Sequence, residues 1–260
     1  MIQMVLYEYE RYVTSAEKLR ETLDRYGVAV IPEVLDQAEC EQIVQGTWDF
    51  LEIITRDWEK PISRNDETTW RGIYGLMPLH NMLIQHHQVG HAEVSWRVRQ
   101  NTKIVDIFAK LYNVPREDLL VSFDGLSFHL PFEKTGKRQV VEKTWYHTDQ
   151  SYTRNQSECV QSWVTGLDVN QGDGTLGFLE GSHGFHREFA EKYQITDTSD
   201  WYKLTDLELK FYKDRGCEER RIMCPKGSMV FWDSRTIHCG VQPQANRPIP
   251  NIRSIIYLCY

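Results

Sequence analysis

Near residue 120 the hydrophobic period of this chain changes from that of helices to that of strands. No other feature limits its fold as much. Before the change, apolar residues recur every three or four positions. One set is Ala16, Leu19, Leu23 and Tyr26, a second is Cys40, Ile43, Val44, Trp48 and Leu51, and a third is Ile104, Ile107, Phe108 and Leu111. Thr14 to Glu17 reads as a capping box before the first set and Gly27 as its stop. Asp36 caps the second, and Asn113-Val114-Pro115 closes the third. A short β-branched run, Val28 to Ile31, is ended by Pro32 and reads as a strand. Residues 56–69 read as a loop, and residues 70–92 carry no clear period.

After the change, residues 121–124, 159–169, 228–232 and 253–260 read as strands. Gly and Pro clusters at 131–137, 171–184 and 240–250 separate them, the pattern of a β-sandwich or barrel. One helical patch interrupts the strands at 184–215. No linker, composition break or internal repeat divides the chain. The expectation is a single α+β domain over 1–260, with 1–120 as mainly helical support and substrate region and 121–260 as the β core.

Composition narrows the function class. The net charge of -7 disfavours nonspecific nucleic-acid binding, which needs a basic surface, so no nucleic-acid partner is expected. The six cysteines, at 40, 159, 217, 224, 239 and 259, form no Cys-x-x-Cys pair and read as free thiols of a reducing compartment. The first residues carry no basic and apolar leader, and no apolar run reaches the ~18 residues of a membrane span. A cytoplasmic protein without a membrane partner is expected. The sequence does not reveal the oligomeric state.

Three distant residues carry the chemistry. His147 and Asp149 stand in Trp145-Tyr146-His147-Thr148-Asp149-Gln150, and His238 closes a segment that begins at Gly227. Residues two apart share a side only in extended backbone, and 147–149 immediately precede the β-rich half. Two imidazoles and one carboxylate on one face leave coordination positions open for a co-substrate and O₂, the arrangement of non-haem Fe(II) oxygenases. The competing reading is a local His–Asp hydrogen bond with an unrelated structural His238. The order of the pieces favours the metal site: His-x-Asp, strand, Gly-rich turn, a strand leading to His, then an Arg-led strand. Arg253 opens that last strand and could grip a carboxylate with its fixed fork; Arg247 is its rival, in a segment broken by Pro248 and Pro250.

Other signals are weaker. His186-Arg187-Glu188 lies in a helical pattern, where i and i+2 diverge, and His91-Ala92-Glu93 has no strand punctuation. The G-x-G-x-x-G match at 172–177 lacks the following helix that a dinucleotide site requires. His80, His86, His87 and His91 read as a solvated face or pocket wall rather than a second metal site. Residues 70–75 could contact substrate or pack in the core.

These motifs resemble the phytanoyl-CoA dioxygenase family of Fe(II)/2-oxoglutarate-dependent oxygenases. The likeness runs through Tyr26 to Pro32, Trp145 to Gln150, the turn Gly174 to His183 that ends in Gly-Ser-His, and Lys226 to His238. It implies a double-stranded β-helix, a jelly-roll or cupin-like barrel, with the N-terminal helices packed on one side. It implies that His147, Asp149 and His238 hold Fe(II), that Arg253 binds the 5-carboxylate of 2-oxoglutarate, and that His129 supplies a polar group on the strand before the metal motif. Gln161 and Trp163 would line the pocket. The activity implied is hydroxylation of an aliphatic C–H of a small-molecule substrate, with O₂ consumed and succinate and CO₂ released. An intact Asp149 favours hydroxylation over halogenation, whose enzymes lack a carboxylate there. Two alternatives remain open at this point: a non-catalytic β-barrel binding protein that keeps the fold, and a cupin-like metalloenzyme of another class.

Overall fold

A computed structural model of the chain describes residues 6–77, 83–136 and 145–260. Its elements follow the change of period. The first strand, β1 (Leu6–Glu8), precedes helix α1 (Leu19–Tyr26) and strand β2 (Val28–Ile31). Helices α2 (Gln37–Thr55), α3 (Glu93–Arg99) and α4 (Thr102–Tyr112) complete the helical half. Strand β3 (Leu126–His129), the short helix α5 (Phe132–Thr135), β4 (His147–Thr148), β5 (Val160–Thr165) and β6 (Thr175–Leu179) open the β core. Helices α6 (His186–Tyr193) and α7 (Asp206–Lys213) flank β7 (Tyr202–Lys203), and β8 (Glu219–Ile222), β9 (Met229–Asp233), β10 (His238–Val241) and β11 (Arg253–Leu258) finish the chain.

The strands form two sheets. One has the order β2-β9-β5-β11-β3 and the other β1-β8-β6-β10-β4-β7. From β3 onward the chain passes back and forth between them, which is the winding of a double-stranded β-helix. The first sheet is largely buried on both faces, and its strands β2 and β9 read as near-continuous apolar runs. Ala29, Ile31, Met229, Phe231, Ile256 and Leu258 pack outward against α2, α3 and α4. Val28, Val30, Val230, Trp232, Trp163 and Ile255 alternate with them and face the second sheet. The inserted patch covers the outer face of that second sheet, where Leu179, Cys239 and Val241 meet Phe189, Leu209, Phe211 and Tyr212. At ~25 cal/mol per Å², each large aliphatic or aromatic side chain among these gains ~1.5–3 kcal/mol from burial.

Several local expectations shift. The Thr14–Glu17 capping box does not form: α1 starts at Leu19, Lys18 is its N-cap without a side-chain bond, and the Thr14 amide is already taken by the Val30 carbonyl at 2.9 Å. The sheet edge outcompetes the cap. The Asp36–Glu39 capping box does form and starts α2. Residues 121–124 are not a strand. Ser122 makes one backbone bond to Cys259, Phe123 stays exposed beside Trp96 and His91, and the ladder begins at Leu126. The Gly-rich stretch 171–184, which reads as a turn, contains the fully buried strand β6. The segment 70–75 lies in a ten-residue 3-10 helix whose Trp70, Ile73 and Leu76 enter the core, so packing is its role here. His80 and residues 137–144 lie outside the described residues.

Candidate metal centre

Backbone register brings the three sequence-distant ligands together. Strand β10 pairs antiparallel with β4, and His238 stands directly opposite His147. Alternation aims both inward, because Tyr146 beside His147, and Cys239 and Val241 after His238, belong to the outer cluster. Asp149 follows two residues on and is held by its backbone: its amide donates to Ser234 at 3.1 Å and its carbonyl accepts from Trp201 at 3.0 Å. The result is a compact donor set. His147 Nε2 lies 3.4 Å from Asp149 Oδ1, and His238 Nε2 lies 3.3 Å from Asp149 Oδ2. All three ligand atoms fall within 4.8 Å of one another.

The surroundings orient these atoms. His147 Nδ1 meets the Trp145 carbonyl at 3.1 Å, and His238 Nδ1 meets the Thr236 carbonyl at 2.9 Å. Each Nδ1–H is thus spent on a backbone oxygen, leaving both Nε2 lone pairs pointing at the carboxylate. Gln161 donates its amide to Asp149 Oδ2 at 2.6 Å and fixes the carboxylate plane. Burial, reinforced by the neighbouring His238 ring, pushes the His147 pKa down and keeps that ring a neutral ligand. Burial would raise the Asp149 pKa; the neighbouring His238 and His147 rings outweigh it and hold the carboxyl well below its usual range. Two imidazole nitrogens and one carboxylate are the donor chemistry of a facial Fe(II) site, so the residues present fit that metal.

A cavity of about 790 Å³ opens from the triad. Gln161, Trp163 and Arg253 line it, as the sequence reading expects. Arg253 is buried; its Nε donates to Ser127 Oγ at 3.0 Å and one Nη to the Gly174 carbonyl at 2.7 Å. No carboxylate of the described residues pairs with it. Arg247 behaves oppositely. It is buried, pairs with Glu133 at 3.0 Å and Asp173 at 2.8 Å, and does not line the cavity. His129 stands across from Arg253 in the β3–β11 register but is not among the residues lining the cavity.

Sequence reasoning misses most of the aromatic wall: Trp145, Trp201, Trp232 and Tyr257. Trp145 stacks on the His147 ring at 4.8 Å, and its position two residues before His147 in extended backbone is a signal that could have found it. Trp201 has no such signal, since only the pairing of β7 with β4 carries it to the site. The Gly-Ser-His turn supports the ligands instead of joining them. Ser182 Oγ accepts from the Ile237 amide at 2.8 Å, beside His238, and His183 packs against Asp24 and Gly27.

The model of the phytanoyl-CoA dioxygenase family matches residues 23–243. The chain belongs to this family. It is an iron- and 2-oxoglutarate-dependent oxygenase by class. Among curated proteins it is similar to Ava biosynthesis cluster protein O of Aspergillus versicolor, 26% identical over 92% of this chain and 76% of that protein. A putative phytanoyl-CoA dioxygenase of Dictyostelium discoideum is 23% identical over 88% and 71%. Among solved structures, the non-heme alpha ketoglutarate dependent carbocyclase SnoK from nogalamycin biosynthesis superposes with a TM-score of 0.62 at 18% identity, covering 95% of this chain and 85% of its own. EctD from S. alaskensis, solved with 2-oxoglutarate and 5-hydroxyectoine, gives a TM-score of 0.60 at 14% identity over 98% and 79%. At such identities the family's β-helix is shared, and each member's reaction is its own.

Proposed function

We propose that this oxygenase hydroxylates an aliphatic C–H of a small molecule, with His147, Asp149 and His238 as the iron ligands and Arg253 as the anchor of 2-oxoglutarate. Bound iron and 2-oxoglutarate supply O₂ activation coupled to decarboxylation, with succinate and CO₂ as by-products. The chain's residues do the rest. Gln161 holds Asp149 in one orientation. Ser127 and Gly174 hold the Arg253 fork over the cavity, aimed by two hydrogen bonds of their own. Trp145, Trp163, Trp201 and Trp232 shape an apolar wall that excludes water and positions the target carbon.

The single observation that carries this reading is that the triad shares one cavity with a buried guanidinium that has no carboxylate partner among the described residues. A cupin-like enzyme of another class would have no use for that cation, and a binding protein none for three convergent ligand atoms. The intact carboxylate at Asp149 supports hydroxylation. No helix of the described residues is long and apolar enough to cross a membrane. The six cysteines are free, which supports a reducing setting, cytoplasmic in this reading. The test is succinate formation from 2-oxoglutarate with Fe(II), with and without candidate substrates. His147→Ala and Asp149→Ala should abolish it. A folded wild-type protein that binds neither Fe(II) nor 2-oxoglutarate refutes the proposal.

A further inference from the structure

The cavity wall also carries two thiols that the oxygenase chemistry does not use. Cys159 stands immediately before β5 and Cys259 immediately after β11. These strands are antiparallel neighbours, with Leu258 opposite Ser162, so the ends that bear the two cysteines lie side by side. Their Sγ atoms are 3.3 Å apart, and both residues are partly exposed and line the cavity. The other four cysteines are buried. Burial pushes Cys217 up to about 11 and Cys224 and Cys239 up to about 12. The hydrogen bond between the two thiols lowers the Cys159 pKa and raises that of Cys259. Reactive thiols combine a lowered pKa, access and a nearby resolving thiol; Cys159 is partly exposed, lies 3.3 Å from Cys259 and has its pKa shifted down.

We propose that Cys159 and Cys259 are a peroxide-sensitive modification site, with Cys159 oxidised first and Cys259 closing a reversible disulfide. The oxidant is hydrogen peroxide. The Cys159 thiolate attacks one peroxide oxygen, the O–O bond breaks, and the departing hydroxide takes a proton to leave as water. The product is the Cys159 sulfenic acid. The Cys259 sulfur then attacks the Cys159 sulfur, loses its proton, and displaces a second hydroxide that leaves as water. Two thiols and one H₂O₂ give one disulfide and two H₂O. The sulfurs need approach by only about 1.3 Å to reach disulfide length. The link joins the strand bearing Gln161 to the strand bearing Arg253 and closes a span of 100 residues. It does not depend on the hydroxylase reading, since neither thiol is a metal or co-substrate ligand.

The full chain, reduced and free of excess thiol, is treated with one equivalent of H₂O₂ without added iron, then alkylated and mapped by mass spectrometry. The expected result is an intact mass lower by about 2 Da, one linked peptide pair joining Cys159 to Cys259, full reversal by dithiothreitol, and alkylation of the other four cysteines. In Cys259→Ser, a sulfenic-acid trap should label Cys159; in Cys159→Ser, it should leave Cys259 unlabelled. The oxidised wild type should melt at a higher temperature than the reduced one, because the cross-link restricts the unfolded chain. A different pairing, no pairing, or equal trapping at both positions overturns the proposal. If either serine variant fails to fold, the wild-type peptide map alone decides.

Discussion

Replacing Arg253 by Met should separate co-substrate binding from folding. The guanidinium is buried, and no carboxylate of the described residues compensates its charge. Truncating one side of a buried, hydrogen-bonded charge pair costs about 2–5 kcal/mol of binding. At ~1.4 kcal/mol per tenfold, that weakens 2-oxoglutarate binding by roughly 30-fold to several thousandfold. Stability moves much less. The variant loses the bonds to Ser127 Oγ and the Gly174 carbonyl, about 1 kcal/mol each, but is relieved of an unpaired buried cation. Arg247→Met should do the reverse. It strands Asp173 and Glu133, costs about 3–5 kcal/mol of stability, and leaves the 2-oxoglutarate affinity of the folded fraction unchanged. The assay pairs anaerobic calorimetric titration of 2-oxoglutarate into Mn(II)-loaded protein with urea unfolding. Binding by Arg253→Met within about threefold of the wild type, or loss of binding in Arg247→Met, refutes the assignment.

Three further perturbations test the supporting structure. Gln161→Leu removes the amide that holds Asp149 at 2.6 Å and should lower metal affinity by ~10-fold or more in a chelator competition; an unchanged affinity makes Gln161 a bystander. His186, stacked on Tyr152 with Nε2 bonded to the Ser151 carbonyl, has its pKa lowered by burial from 6.5 to about 4. The unfolded chain therefore binds the proton first as pH falls below 6.5, and this residue withdraws about 2 kcal/mol of stability by pH 5. Urea unfolding of metal-free protein should show that loss, and His186→Phe should flatten the slope; an identical slope in the variant defeats the attribution. Gly227 has φ +78°, and an added Cβ would sit 2.3 Å from the Leu35 carbonyl oxygen. Gly227→Ala should therefore cost more than ~2 kcal/mol, whereas an unaltered melting curve would show that the turn before β9 relaxes freely.

How legible each part was depends on the range of the interaction that builds it. The helices α2 and α4 announce themselves because caps and 3.6-residue periodicity act within a few turns: Asp36 with Glu39 at one start, and Asn113 at φ 55° at the other's end. Strands buried on both faces, such as β5, β9 and β11, show as β-branched and aromatic runs. Short strands are silent. Strand β4 has two residues, β10 begins at the ligand itself, and β6 hides among glycines. Nothing local distinguishes these from turns, because each is a strand only by virtue of the partner that hydrogen-bonds it. The Thr14 cap failed for the same reason: a long-range amide bond claimed the residue first.

The amino-acid order alone determined the ligand types, the His-x-Asp spacing that needs extended backbone, and the placement of helices before strands. These are properties of neighbours in the chain. It favoured Arg253 over its rival Arg247 without being able to show which is unpaired, and it missed most of the aromatic wall and the paired thiols. Tertiary structure decided those points, because burial and partners exist only once β10 lies against β4 and β11 against β5. Folding satisfied one arginine with two carboxylates and left the other facing the cavity with no carboxylate partner among the described residues. A buried charge must find a counter-ion, and where the chain provides none, a ligand can.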